Sequence, residues 1–126
     1  MMDTRDAIAA SKSLMQELHG DTSRWDENMA AAEAMLRHAL ALSPQDTELL
    51  TCLGAVLCDQ GKGQAALVLL EKAVTHGSSD SHTHYNLGVA LLRQAHAGKA
   101  RKAFKQAQRY SASALTWQAY FDPQAQ

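Results

Sequence analysis

Residues 47–80 and 81–114 read as two consecutive copies of one 34-residue unit. Laid over one another, the copies match Leu53 with Leu87, Gly54 with Gly88, Leu57 with Leu91, Gln60 with Gln94, Ala66 with Ala100, Ala73 with Ala107 and Ser79 with Ser113. These are seven identities in 34 positions, and Leu70 over Phe104 adds a bulky apolar match. The matched apolar residues recur at helical spacing, not with the alternation of a strand.

The order of the matched residues is Leu-Gly, an apolar residue three on, alanine nine further, a bulky apolar residue four further and alanine three further. This order resembles the tetratricopeptide repeat. The resemblance implies an all-α fold, a right-handed superhelical array of helix-turn-helix repeats, with about three hairpins and a C-terminal capping helix. It also implies a non-catalytic module that binds a peptide or helical segment of a protein partner in a concave groove.

Composition agrees with helix. Only seven aromatics and two prolines accompany abundant Ala, Leu and Gln, and straight-chain residues lose little rotamer freedom in a helix. At 126 residues and 46% hydrophobic content the chain fits a single domain with a continuous core. The first residues carry acids and lead into no apolar run, so neither a signal peptide nor a membrane span is expected, and a cytoplasmic location is the default. Cys52 and Cys58 are six residues apart on one expected helix, roughly 9 Å along its axis and too far for a disulfide. Both are expected as thiols of a reducing compartment.

The formal charge of −1 conceals a division. Residues 1–80 hold twelve acids against six bases, whereas residues 81–121 hold six bases and no acid. An array with one acidic and one basic end is a dipole, and it permits head-to-tail self-association.

Taken in order, residues 5–46 form an atypical first repeat. A helix over 5–19 carries Ile8, Met15 and Leu18 on one stripe, Asp21, Thr22 and Ser23 offer caps, and a second helix runs to about Leu42. Ala32, Leu36, Ala39 and Pro44 extend the register of the duplication upstream. Helices are expected over about 46–60, then, after a break at Gly61-Lys62-Gly63, one carrying Ala66, Leu69, Leu70, Ala73 and Val74 up to His76-Gly77, and further helices over about 82–95 and 98–110. A half-repeat over about 113–121, with Leu115, Trp117, Tyr120 and Phe121, is expected as the capping helix, followed by a disordered tail at 122–126. Gly54 with Ala66, and Gly88 with Ala100, are expected to mark the close approach of paired helices.

The resemblance also assigns groove positions: Glu48, Thr51, Ala55, Cys58 and Asp59 in the first copy, and His82, Tyr85, Asn86, Val89, Leu92 and Arg93 in the second. Ala55, Cys58, Val89 and Leu92 would form an apolar floor, with Asp59 and Arg93 at its edge. The competing reading packs some of these positions against the chain's own termini. Asn86 and Arg93 match part of the pattern by which some family members hold a C-terminal carboxylate, but Val89 and Cys52 depart from it.

No catalytic motif is present. His82 and His84, two residues apart, do not face each other on a helix, so neither a metal nor another cofactor is expected. Gly61-Lys62-Gly63 is too short for a phosphate loop. The bases of 99–109 read as a solvated face, and nucleic acid is a poor fit because no aromatics interleave with them. The leading expectation is a scaffold or adaptor. The alternatives are a small chaperone for an exported or self-assembling client and a self-associating structural oligomer.

Overall fold

The computed structural model describes residues 3–16 and 24–119. Among the described residues there are six α-helices and no strand: α1 (Thr4–Gln16), α2 (Trp25–Leu42), α3 (Thr47–Asp59), α4 (Gly63–Thr75), α5 (Ser81–Arg93) and α6 (Ala97–Ala107). Consecutive helices pair into the hairpins α1/α2, α3/α4 and α5/α6, and these stack through α2 on α3 and α4 on α5. The first helices of the duplicated repeats, α3 and α5, also touch directly.

The core runs the length of the stack. Ile8, Met29, Leu36, Leu49, Leu53, Leu57 and Leu70 are fully buried, and α3 at the centre is buried continuously from Leu49 to Asp59. Ala32, Leu36 and Ala39 of α2 join this core, as the upstream extension of the register requires. Leu18, the capping residues Asp21–Ser23, Tyr120, Phe121 and the tail 122–126 lie outside the described residues.

The repeated glycines serve a different contact from the one expected. A Cβ on Gly54 would lie 2.6 Å from Leu70 Cδ2, and one on Gly88 would lie 2.5 Å from Phe104 Cε1. Each glycine makes room for the bulky residue of the second helix, not for Ala66 or Ala100.

Helices α3, α4 and α5 end in the same way. After α3, the Gly61 amide donates to the Cys58 carbonyl and the Lys62 amide to the Leu57 carbonyl; after α4, Gly77 and Ser78 do the same to Val74 and Ala73. This pair of reversed bonds needs a left-handed residue, and Gly61 and Gly77 have φ of 78° and 86°. After α5 that position falls to Ala95, at φ 62°. Its amide and that of His96 donate to Leu92 and Leu91.

The capping helix is not present in the described part of its range. From Ser111 to Ala119 the chain is extended or bent, not helical. A helix this short has little to set against the cost of nucleation, and the polar groups of this segment are satisfied instead by side chains of the preceding repeat. It runs back along α5, where the candidate site lies.

Candidate functional site

Two aspartates, 34 residues apart, open the first helices of the repeats. Asp46 accepts from the amides of Glu48 and Leu49 and so caps α3. Asp80 caps α5 by accepting from the His82 amide at 3.0 Å, but it also reaches outside the helix. The Ser113 amide donates to its Oδ1 at 2.9 Å, and the Thr116 hydroxyl donates to its Oδ2. His82 Nδ1 stands 2.9 Å from the same hydroxyl oxygen. Since the Thr116 proton is committed to Asp80, this contact requires a proton on Nδ1.

One turn further along α5, Asn86 holds the main chain itself. Its Nδ2 donates to the Trp117 carbonyl at 3.1 Å, and its Oδ1 accepts from the Ala119 amide. The side-chain amide is fully buried between these partners. A carbonyl at one residue and an amide two further on are the pattern that an extended strand presents along one edge, so Asn86 acts as a single rung of sheet. Trp117 is only 6% exposed and joins the hydrophobic core. Its main chain lies within hydrogen-bonding reach of the Cys52 thiol on α3. Among the described residues its indole N–H finds no acceptor. The start of α5, from Asp80 to Asn86, is thus occupied by the chain's own residues 113–119.

The other expected site residues divide. Thr51 is buried and bonds to Thr47 and Thr83, which ties α3 to α5. Ala55 and Cys58 are sealed between helices, with the Cys58 thiol facing the Asn86 carbonyl at 3.8 Å. Val89 is half-buried against the core. Tyr85 packs on Phe104 of α6, ring centres 5.6 Å apart. Leu92 is 50% exposed and faces away, into a cleft with Ala97, Ala100 and Phe104 that is edged by Arg101 and Lys105. Asp59 and Arg93 do come together, in a cleft of about 540 Å³ shared with Trp25 and Met29 at the C-terminal ends of α3 and α5.

His84 is drawn off the groove, stacking on Tyr110 with its Nε2 facing the Ser78 carbonyl. Among the described residues no group of three His, Cys, Asp or Glu could hold a metal ion.

The residue that sequence reasoning passed over is Asp80. Its equivalence to Asp46 was visible, but its second pair of bonds goes to a segment with no helical signature. The electrostatics at this end are acidic. Burial pushes the Glu48 carboxyl above the usual carboxylate range, and the charges of Asp46 and Asp80 push it the same way against the pull of Arg5. Burial pushes the Cys52 thiol far up, so it stays protonated at neutral pH.

Stacked antiparallel helical hairpins, with the first helix of each lining a shared groove, define a helical-repeat scaffold. Residues 48–75, covering nearly all of α3 and α4, match the family model described as Tetratricopeptide repeat. The match supports reading this hairpin as a tetratricopeptide repeat, in general a protein-interaction module. No curated protein matches the chain. Among the described residues no helix is long and apolar enough to cross a membrane.

Proposed function

We propose that this protein is a non-catalytic adaptor that holds an extended segment of a protein partner along α5 and across to α3. The observation that carries this reading is the double engagement of Asn86 with main-chain groups of an extended strand. Such a grip is independent of the side chains held, and it leaves neighbouring pockets to set specificity. The open cleft at Asp59 and Arg93 continues the groove beyond the occupied stretch, giving a longer partner segment further surface. Panning a displayed random-peptide library against the intact protein tests this. Selected peptides should lose at least about tenfold in affinity, roughly 1.4 kcal/mol, on Asn86→Ala and be indifferent to Lys102→Ala on α6. Binders that respond only to the second substitution would place the binding face elsewhere.

A second reading, head-to-tail self-association, is supported by the cleft around Leu92 and Phe104. It is an apolar surface with a basic edge, on the chain half that has no acid up to residue 121. Its occupant would be the acidic end of a second copy, where Asp3, Asp6, Asp26 and Glu27 are exposed. Light scattering should then give a mass that falls as salt rises, with Leu92→Glu monomeric throughout. A monomer at millimolar salt excludes it.

A further inference from the structure

We infer that residues 111–119 are a built-in occupant of the groove, and that the partner segment which displaces them shares their chemistry: a hydroxyl residue, then an aromatic, then any residue, then a small one. The inference rests on the groove being the binding surface. It deepens that reading by naming what the surface selects.

Three features of the seated segment specify the selection. Position 116 places a hydroxyl between Asp80 and His82, where it donates to one and accepts from the other; a side chain without that hydroxyl takes the bond from Asp80 Oδ2 and from His82 Nδ1, while Asp80 Oδ1 keeps the His82 and Ser113 amides. Position 117 sends a large aromatic ring into the core. Position 118 points outward, exposed, while the amide at 119 returns to Asn86. Positions 116 and 117 are both buried and 118 is exposed, while the Trp117 carbonyl and the Ala119 amide meet Asn86 along one edge of extended chain, so the rule is set by the groove and applies to an extended chain laid there.

The same contacts explain why the segment can leave. It is fastened at Asp80 and Asn86, by side chains of one helix. The Trp117 indole is buried with its N–H unanswered among the described residues. An unsatisfied buried donor weakens the docked state, and a partner segment that supplies an acceptor, or follows the groove into the Asp59–Arg93 cleft, replaces it at an advantage. Ser111, Ala112 and Ala114 are exposed, and the lead-in from α6 is tied to the start of α5 by the Ser81 amide, which donates to the Ser111 carbonyl at 3.0 Å, so departure of the segment gives up that bond without unpacking a helix.

The test uses the full chain with Trp25→Phe, which leaves Trp117 as the sole tryptophan, grown with 5-fluorotryptophan and followed by fluorine NMR. The probe is an unlabelled synthetic peptide of residues 113–119, Ser-Ala-Leu-Thr-Trp-Gln-Ala. Added peptide should move the Trp117 signal from its buried to its solvent position. The midpoint should come at least about tenfold lower in a Thr116→Ala chain, whose own segment is weakened. Asn86→Ala should release Trp117 without peptide while helicity is retained. A Trp117 signal that stays buried at saturating peptide in both the parent and Thr116→Ala chains overturns the inference. Library-selected peptides that bind in an Asn86-dependent way but leave Trp117 in place overturn it too, while the adaptor reading survives. If Asn86→Ala frees Trp117 and no peptide of any sequence binds, the segment is a structural strap and the adaptor reading falls with the inference.

Discussion

Ala95 and Gly61 stand at the same point of their repeats, and only the glycine suits the backbone there. A left-handed conformation costs a residue with a Cβ about 1–2 kcal/mol, offset by up to about 1 kcal/mol of extra unfolded-state freedom when glycine replaces it. Ala95→Gly should therefore stabilise the fold by about 0.5–1 kcal/mol, read as a higher urea midpoint at unchanged slope. Gly88 behaves oppositely. Phe104 already fills the space its Cβ would need, so Gly88→Ala should cost about 1–3 kcal/mol through overpacking. In a Phe104→Ala background the same change should cost nothing, or even stabilise by up to about 1 kcal/mol from helix propensity. An equal loss in both backgrounds would mean that the ring is not what the glycine accommodates.

At the scale of elements, α2 to α6 were legible because each repeats a pattern that helical period makes visible: Leu53 and Leu87, Ala66 and Ala100, Asp46 and Asp80. The segment from Ser111 to Ala119 was not. Leu115 and Trp117 are compatible with a helix, and nothing in their spacing reveals that the Ser113 amide will be taken by Asp80 and the Trp117 carbonyl and Ala119 amide by Asn86. Extended chain bound to side chains has no period to read. The groove positions suffered for the same reason: Asn86 was named from family position, but Leu92 belongs with α6 because the turn at Ala95 brings Phe104 beside it. The two aspartates provide a matched measurement of what the segment adds. Asp46→Ala removes a cap and should cost about 1 kcal/mol. Asp80→Ala removes an equivalent cap plus the bonds to Ser113 and Thr116, and should cost about 1 kcal/mol more. It should also raise the thiol reactivity of Cys52 in a Cys58→Ser chain. Equal costs and an unreactive thiol would show the segment held from elsewhere.

The molecule as a whole carries two carboxylates whose responses to pH run in opposite directions. Glu33 on α2 accepts from Arg37 at 2.7 Å and from Lys62, the residue just before α4, at 3.1 Å. The bond to Arg37 and then the contact with Lys62 hold its carboxyl below the usual range despite burial. A depressed folded value means that the ionised form favours the fold. Its contribution is present above the unfolded value of about 4.3 and is lost as pH falls through the folded one. Glu48 is raised, so its ionised form disfavours the fold; that penalty is absent in acid and complete once pH exceeds the folded value. Glu33→Gln should accordingly lower the thermal midpoint at pH 7, by no more than about 1 kcal/mol because its basic partners are half exposed. Glu48→Gln should raise it slightly. The Glu48→Gln difference should shrink first, as pH falls through the raised folded value of Glu48, and the Glu33→Gln difference only at lower pH, as it falls through the depressed folded value of Glu33. Since Glu48 sits at the acidic mouth of the groove beside Asp80, a stabilising Glu48→Gln would mean that part of the protein's stability is given up to keep negative charge where the segment enters. Calorimetric melts from pH 3 to pH 8 decide it, and a Glu48→Gln midpoint at or below the parent's at pH 7 would remove the repulsion on which this argument depends.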